Sequence, residues 1–586
     1  MVFHRFSYKK IFSSIAVLLF TVIYLFASVQ KIAAQTDYIP FGDKQYQLLD
    51  RLKIKLKDYP GLNFTTIKMV SRADFTETIE KIAALDKSGE ISDLLTDMDR
   101  ADIHSALMNN ADYTRNYQDS FQLEKPILGF LFQTSAHLYQ SIGKDFSFVA
   151  DAVVNFQLGH STDDQKLFQN TRAIRFRGKI EDRVGFYALI SENQERDPLY
   201  VQNAVNPYPG QSIIGLPGQA FYKYFENHPG AFDYFGIRGG ITFNAGKKVD
   251  FVLAYDQFKI GDGFRSLFIS DYGAPFYFLK ANVHVNDRLD WTSVVAQTIA
   301  PFSNSASTFN PYYDSTRPRN YMMFHHLDWQ ATSFLRIGAF ENTMFNGSSE
   351  NSSGRLAIAN TDPTKGPVST PEKGKTARSR VGLDFRAVPL KNIELYGQWL
   401  IDGVTDWGTS FKNRNAWQLG AKYIDAFGLD NLDLQAETNI VRPYAYASNY
   451  VENNYTHYNM PLAHPLGSNF KESIGLLSYR PLKKLYVNLK GIFYKKGLDE
   501  NNLNYGGDLL RPFTYNKPTE PFKTGAGNTN VVSIYSATVS YELLQNLFID
   551  GNYTYRKSKT DLNGLDNVKF YTFGLRWNMP HKDYDF

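Results

Sequence analysis

Apolar and polar residues alternate along most of the chain after about residue 125, in segments of about ten residues. The clearest segments are 174–181, 381–387, 432–440 and 485–493. In the third of these, Leu432 and Leu434 alternate with Asp433 and Gln435. Because successive side chains of a strand point to opposite faces, each segment predicts a β-strand with one apolar and one polar face.

Two architectures bury such strands: a soluble sandwich, with its apolar face in a core, and a membrane barrel, with its apolar face in lipid. Alternation alone does not separate them. The strand length favours the barrel, because segments of about 9–13 residues match a tilted membrane crossing. Aromatic residues near strand ends also fit the interface girdles of a barrel. The candidate girdle residues are Tyr321, Trp329, Trp399, Tyr423, Tyr494 and Trp577.

The number and spacing of the segments predict how the barrel is built. Nineteen candidate strands can be marked, but bacterial single-chain barrels close with an even number, so we expect eighteen. The weakest candidate is 127–140, where the alternation is blurred. Long connections alternate with tight turns, and the long ones are 193–232, 300–318, 346–376, 442–469 and 497–529. The predicted fold is mainly β, an 18-stranded antiparallel transmembrane barrel over residues 125–586, with extracellular long loops.

Residues 43–115 have a different period and predict a small α-helical domain in the periplasm. Ser71, followed by Asp74, is typical of a helix start and predicts a helix near 72–84. Apolar residues at intervals of three and four predict a second helix over 90–109. The aspartates of that region are expected on a solvated face, and they are Asp93, Asp97, Asp99 and Asp102.

Residues 1–35 combine a basic start, an apolar run and small residues, which predicts a secretory signal peptide. An uncleaved anchor helix is the alternative, and both export the rest of the chain. Lys and Arg total 63 and Asp and Glu total 59, but four of the basic residues lie in this leader, which contains no acidic residue. The remaining chain has no net charge, so nucleic acid is not expected as a partner.

Candidate catalytic chemistry is sparse. The chain has no cysteine, which excludes disulfides, thiolate metal sites and a cysteine nucleophile. It contains neither an H-E-x-x-H nor a G-x-S-x-G motif. We therefore predict a protein that is not an enzyme and has no cofactor and no metal site.

A glycine-rich segment after the strand that ends near Phe258 is the first candidate functional site. Its candidate residues are Gly261, Asp262, Gly263, Arg265, Ser270 and Asp271. One interpretation is a plain connection between two strands. The other is a segment folded into the lumen, where Arg265 pairs with carboxylates such as Asp250 or Asp256 and the segment narrows the pore.

Aromatic and amide residues of the loop 442–469 are the second candidate site. Flat aromatic rings stack on sugar rings, and amides hydrogen-bond sugar hydroxyls, so the loop predicts polysaccharide binding. The candidate residues are Tyr444, Tyr446, Tyr450, Tyr455 and His457. Loop 193–232 adds further aromatics, among them Tyr200, Tyr208, Phe221 and Tyr222. The alternative is that these rings form the upper girdle or pack the loops together.

Several short motifs resemble one known group of proteins. They are Gly261-x-Gly263-x-Arg265-Ser266-Leu267-x-x-Ser270-Asp271, Phe324-His325-His326-Leu327 with Gly338-x-Phe340-Glu341, Leu462-Ala463-His464-Pro465-Leu466-Gly467-x-Asn469-Phe470-x-Glu472, Tyr584-Asp585-Phe586, and Leu48-Leu49-Asp50-Arg51-Leu52-x-Ile54-Lys55 with Ser71-Arg72. Together they resemble the Wzi-like capsule-assembly outer-membrane barrels, and within them the RemB-like branch of gliding bacteria. The resemblance covers about 45–586 and implies an 18-stranded barrel with a periplasmic helical domain.

The function implied by the resemblance is a surface lectin that holds capsular polysaccharide to the cell. We therefore expect a bacterial outer-membrane barrel whose partners are outer-membrane lipid and surface polysaccharide. One alternative is a component of a gliding or surface-protein apparatus, which would add other envelope proteins as partners. Another is a diffusion porin, although charges of both signs on the expected lumen face favour an occluded interior.

Overall fold

The structure, a computed structural model, describes most of the chain after residue 36. The described residues are 37–117, 121, 123, 131, 132, 134–181, 183–205, 218, 219, 223–245, 248–301, 319–346, 377–402, 414–520, 522–562 and 564–586. The predicted signal peptide 1–35, residues 127–130 and 133 of the first predicted strand, and Tyr208, Phe221 and Tyr222 lie outside these residues.

In the described part of the chain, eighteen antiparallel strands form one closed barrel. They are β1 (Phe146–Ser161), β2 (Lys166–Ile180), β3 (Val184–Arg196), β4 (Ala231–Asn244), β5 (Val249–Asp256), β6 (Phe276–Asn286), β7 (Leu289–Ile299), β8 (Arg319–Gln330), β9 (Leu335–Asn346), β10 (Ala377–Leu390), β11 (Ile393–Asp402), β12 (Asn415–Tyr423), β13 (Leu432–Val441), β14 (Phe470–Leu482), β15 (Leu485–Leu498), β16 (Asn528–Leu544), β17 (Leu547–Thr560) and β18 (Gly564–Trp577). Each pairs with the next, and β18 pairs with β1, with Trp577 opposite Val154 and Phe570 opposite Ser161.

The predicted barrel of eighteen strands is confirmed. The excess candidate is 127–140, whose described end is only a short strand, Tyr139–Ile142, paired with the first residues of β1. It lies beside the part of β1 that precedes the seam with β18. The barrel wall therefore begins at Phe146.

The two faces of the strands separate as the alternation predicts. On β10, the side chain of Leu383 is 49% exposed on the outside, whereas Asp384 and Arg386 are buried in the lumen. The exterior is apolar, which is typical of barrels that lie in lipid. Both Tyr321 and Tyr494 are buried, but Tyr321 lies on the same strand face as Trp329, which is 48% exposed on the outside, so only Tyr494 is wrong as a girdle residue. Tyr494 has the same strand parity as Lys490, so its ring faces the lumen.

The two ends of the barrel differ. One, here called the turn end, carries short hairpins that include 287–288, 331–334, 391–392, 483–484 and 545–546. Asn392 and Asn546 hold left-handed backbone conformations in these turns, which asparagine tolerates well. The other end, here called the loop end, carries the long connections.

The N-terminal helical segment, residues 37–117, contains three helices. They are α1 (Lys44–Leu56), α2 (Arg72–Ser88) and α3 (Asp97–Asn109), and a further helix, α4 (Leu199–Val205), lies in the loop after β3. Helix α2 begins at the predicted Ser71 cap. The helix predicted over 90–109 begins later, at Asp97, because Thr96 and Asp99 form a reciprocal capping box. No helix among the described residues is long and apolar enough to cross a bilayer.

The helical segment closes the turn end. The Nη1 atom of Arg480, at the end of β14, lies 2.5 Å from Asp102 Oδ2 of α3. Nearby, Gln545 donates a 2.7 Å hydrogen bond to Ser105 Oγ. A larger apolar cluster fills the lumen nearer the loop end, and it joins wall residues such as Phe324 and Phe340 to the loop residues Phe258 and Phe268. The core of the protein therefore lies inside the barrel.

Candidate functional site

The connection between β5 and β6, residues 257–275, leaves the wall at the loop end and enters the lumen. We call it the inward loop. It reaches the N-terminal helical segment and pairs with it through the backbone: the amide of Lys68 donates to the carbonyl of Lys259 at 2.8 Å, and the amide of Gly261 donates to that of Thr66 at 2.9 Å. The helical segment and the inward loop, which occupy the lumen from opposite ends, are thus hydrogen-bonded to each other inside the barrel.

Asp262 lies at this junction and is buried. Its carboxylate is 3.0 Å from Lys53 Nζ, 3.4 Å from Lys68 Nζ and 3.2 Å from Arg336 Nη2. Burial opposes ionisation of the carboxyl group, but the three cations outweigh burial and hold the pKa of Asp262 well below its ordinary value. One ionised aspartate therefore connects the helical segment, the inward loop and the wall.

Arg336 extends this cluster along the wall. It lies 3.2 Å from Asp328 and 2.5 Å from Asp384, which in turn lies 2.8 Å from His326 Nε2. The charges of the wall are therefore paired with each other and with the contents of the lumen. Such a network holds the contents in place at a high desolvation cost.

Arg265 is also paired, but with a different carboxylate from those predicted. Its Nη2 lies 3.3 Å from Glu472 on β14, and His464 Nε2 lies 2.7 Å from the same carboxylate. The predicted partners are engaged elsewhere, Asp250 with His284 and Asp256 with the hydroxyl of Tyr187. Wall segments 207 residues away in the sequence supply the partner, so local spacing gave no signal for it.

The remaining residues of the candidate segment position the backbone. Gly261 has φ +127°, and a Cβ there would lie 2.5 Å from Gln398 Nε2. A Cβ on Gly263 would lie 2.6 Å from Glu437. The amide of Ser270 donates to the carbonyl of Leu462 at 2.9 Å, and Asp271 accepts from Gln257 through its carbonyl oxygen. The segment is therefore fitted closely to its surroundings inside the lumen.

The aromatic residues predicted to bind polysaccharide are mostly buried at the loop end. Tyr444 donates to the carbonyl of Asn504 and Tyr446 to that of Leu267. The ring of Tyr455 is covered by the Arg380 guanidinium, 4.7 Å from the ring centroid.

His457 is buried as well and connects the end of β7 with the end of the inward loop: its Nδ1 accepts from the amide of Ile299, and its Nε2 lies 3.0 Å from the carbonyl of Pro275. Tyr450 is the exposed member, with 57% of its surface accessible. The alternative interpretation, in which these rings pack the loops together, describes the four buried residues.

The C-terminal tail, residues 578–586, is a part of the lumen that sequence reasoning assigned no role. After β18 it turns into the barrel. Lys582 Nζ lies 2.6 Å from Glu195 on β3, and Lys490 Nζ on β15 lies 2.7 Å from both Asp583 and Asp585. The charges that follow the last strand were the available signal, but nothing in their spacing points to these distant partners.

Part of the lumen is open. Two adjoining cavities of about 350 and 330 Å³ lie between β2–β5, the inward loop and the tail, and a third of about 400 Å³ lies between α1 and β12–β14. All three are lined by Phe41. Each is large enough for a small molecule.

Comparison with known proteins identifies the fold. No model of a known protein family matches the sequence, and no curated protein matches it either. Among solved structures, the chain is similar to Wzi, described as an outer-membrane protein involved in group 1 capsule assembly in Escherichia coli and a carbohydrate-binding β-barrel. The TM-score is 0.53 at 11% identity, over 94% of this chain and 100% of that chain.

Weaker similarities link the chain to other barrels. Pseudomonas aeruginosa OprD has a TM-score of 0.40 at 10% identity, over 73% of this chain and 94% of its own. P. aeruginosa OpdK, solved with vanillate, has a TM-score of 0.41 at 7% identity, over 73% and 98%. The Wzi-like fold expected from the motifs is confirmed, whereas the RemB-like branch stays a prediction.

Proposed function

We propose that this protein is a bacterial outer-membrane barrel that binds surface polysaccharide and retains it on the cell. In this proposal the turn end and the helical segment face the periplasm, and the long loops face the outside. The apolar exterior supports a membrane location, because it would be costly in water and is matched by lipid.

The occupied lumen is the observation that carries this proposal. Helices, the inward loop and the tail fill the described barrel from both ends, and buried ion pairs such as Asp262 with Lys53 and Arg336 fix them there. A diffusion porin needs an open channel, so this filling favours a binding role. The fold shared with Wzi, whose description includes carbohydrate binding, supports polysaccharide as the class of ligand.

The deciding experiment compares surface polysaccharide in a deletion strain, a strain complemented with the wild-type chain, and the parent. Cell-bound and shed polysaccharide are measured separately, together with the total. We expect the deletion to move polysaccharide into the medium at unchanged total synthesis, and complementation to reverse the change.

An unchanged distribution would contradict the proposal. Spreading motility, scored in the same three strains, addresses the gliding alternative: a spreading defect with normal polysaccharide retention would transfer the assignment to a motility apparatus.

A further inference from the structure

The two adjoining cavities near the inward loop meet at a group of polar side chains. Five of these line both cavities: Thr171, Asn193, Gln219, Arg238 and Gln257. They come from β2, β3, β4 and the loops after β3 and β5, so the cavity is shaped by the wall and by both loops. We call the joined space the lumen cavity.

Two of these side chains have hydrogen-bonding capacity left over. Gln257 is nine-tenths buried, and its Oε1 has no hydrogen-bond partner among the described residues. The amide nitrogen of the same side chain is used, because it donates to the carbonyl of Asp271. Since a buried unpaired carbonyl oxygen is costly, this oxygen marks a place for a donor.

Arg238, in contrast, has hydrogen-bond donors without acceptors in the described part of the chain. Among the described residues its guanidinium makes one hydrogen bond, from Nη2 to the carbonyl of Gly218 at 3.3 Å. A guanidinium has five N–H donors, so most of them remain for an acceptor in the cavity. Arg265 adds to this, because its Nε is buried without a partner among the described residues and the side chain lines the second cavity.

The unpaired acceptor on Gln257 and the unpaired donors on the arginines limit which kinds of ligand fit the cavity. An apolar molecule would satisfy neither group, and an anion would satisfy the arginines but not the oxygen of Gln257. A hydroxyl group both donates and accepts, so a polyhydroxylated ligand meets both requirements at once. Aromatic side chains on the cavity wall, Phe41 in both halves and Phe264 in the second, offer apolar surface for the carbon face of a sugar ring.

We propose that the lumen cavity, at Arg238 and Gln257, binds a short saccharide unit of the surface polysaccharide. This inference rests on the proposed function and deepens it, since it gives the polysaccharide a site inside the barrel beneath the loop end. The volumes of about 350 and 330 Å³ fall within the range of small-ligand sites, which suits a few sugar units rather than a long polymer segment.

The test uses the purified full chain in detergent and two probes: short oligosaccharides from partial hydrolysis of the cell's own surface polysaccharide, and the intact polysaccharide. Binding is measured by calorimetry, and each variant is first checked for the faster-migrating folded band on unboiled gels. The variants are Arg238→Met and Gln257→Leu. The matched control is Gln47→Leu, because Gln47 lines the third cavity but neither of the two cavities that form the lumen cavity.

We expect the wild type and Gln47→Leu to bind the short oligosaccharides alike, and each cavity variant to raise Kd by roughly tenfold or more. If either cavity variant fails to fold, Thr171→Val replaces it, because valine matches the shape of threonine and removes the hydroxyl group, which donates a 2.9 Å hydrogen bond to Asn193 Oδ1. A smaller rise in Kd is expected for it.

Three outcomes would contradict either the lumen cavity as the saccharide site or the proposed function as well. Unchanged binding of short oligosaccharides by folded cavity variants places the saccharide elsewhere and leaves the proposed function standing. Binding of the intact polysaccharide but of no short oligosaccharide has the same meaning. If the wild type binds neither probe, the lumen cavity and the proposed function fall together.

Discussion

Asp262 illustrates what single buried charges do in this barrel. Its carboxylate is shared by Lys53, Lys68 and Arg336, which belong to two separate parts of the fold. Burial lowers the pKa of Lys68 to about 8, with Lys53 adding to the effect. The charged forms of the buried cations therefore depend on the carboxylate of Asp262, just as its ionised form depends on them.

Replacing Asp262 by asparagine tests this dependence. Asn keeps the shape but leaves three buried cations without their shared counter-charge, so we expect a loss of about 3–5 kcal/mol in the free energy of unfolding. The measurement is the temperature at which the folded gel band disappears, supported by denaturant unfolding in detergent. The control is Asp430→Asn, which removes an exposed carboxylate at the turn end. Equal stability of the two variants would contradict the role of Asp262.

His457 makes the loop end sensitive to acid. Burial lowers its pKa to about 4, although the hydrogen bond to Pro275 opposes this. Its Nδ1 accepts from the amide of Ile299, so a proton there would set two donors against each other. Because the pKa is lower in the folded state, the stabilisation is complete above about pH 6.5 and is lost as the pH falls towards 4, by up to about 3 kcal/mol.

Hydrogen exchange of the amides in 442–469, corrected for the intrinsic rates, checks this prediction at several pH values. Exchange should accelerate below about pH 6 in the wild type. Glutamine at position 457 can accept from Ile299 and donate to Pro275 without titrating, so His457→Gln should give a flat profile. A similar acid response in both proteins would assign the effect to another group.

For single residues, sequence analysis predicts which face of a strand a side chain lies on but not which residues it contacts. Alternation on β10 correctly places Asp384 and Arg386 inside. The same reasoning placed Asp99 and Asp102 on a solvated face, and this is wrong. Arg51 and Lys55 surround Asp99 and, together outweighing burial, lower its pKa to about 2, while Arg480 pairs with Asp102. Partners this distant in sequence leave no local signal.

At the scale of elements, the inward loop depends on a close approach at Gly261. The combination of φ +127° and a Cβ position 2.5 Å from Gln398 leaves no room for a side chain. Gln398 cannot move easily, because it also binds the amide of Leu267 and the carbonyl of Ile260. Gly261→Ala should therefore cost about 1–3 kcal/mol.

The control for this substitution is Gly475→Ala on β14, where no atom lies within 4 Å of the added Cβ and φ is ordinary. We expect a change within about 0.5 kcal/mol there. Both variants are compared by thermal loss of the folded band. If the two melt at the same temperature, the inward loop adapts more easily than its contacts indicate.

Ion pairs help to hold the tail in the lumen, and Lys582 with Glu195 is the clearest. The Glu195 side chain is 4% exposed, so Lys582→Met leaves a buried, uncompensated carboxylate and should cost about 3 kcal/mol. Adding Glu195→Gln removes that charge and should restore part of the stability. The double-mutant cycle, measured by denaturant unfolding, gives the coupling; additive losses would mean that the pair contributes little.

Elements with a regular period were predictable, and those without one were not. The two-residue alternation predicted eighteen strands, and eighteen form the described barrel. The tail has nine residues and no period, and its position depends on wall residues such as Lys490 that lie far away in sequence. The inward loop was a candidate because two glycines flank an aspartate in its sequence. No sequence pattern predicted its backbone pairing with Thr66 and Lys68.

At the scale of the whole molecule, the occupied lumen predicts electrical behaviour. In planar bilayers, the wild-type chain should show no steady open-channel steps, because the described lumen is filled from both ends. The control is an open porin reconstituted in the same way. Stable steps of comparable size from the wild type would contradict the occluded interior and revive the porin alternative.

The seam between β1 and β18 has a consequence for how the protein is made. Both neighbours of the wall in sequence, the helical segment before it and the tail after it, lie inside the closed cylinder, and Val154–Ser161 pair with the last strand along this seam. Once the seam is hydrogen-bonded, nothing of that size can enter from the side. The helices and the tail therefore reach the lumen either before the seam closes or through the turn end, and we expect the wall to wrap around the helices during biogenesis, with closure as the final step. A separately supplied helical segment should not rescue a barrel that has already closed without it.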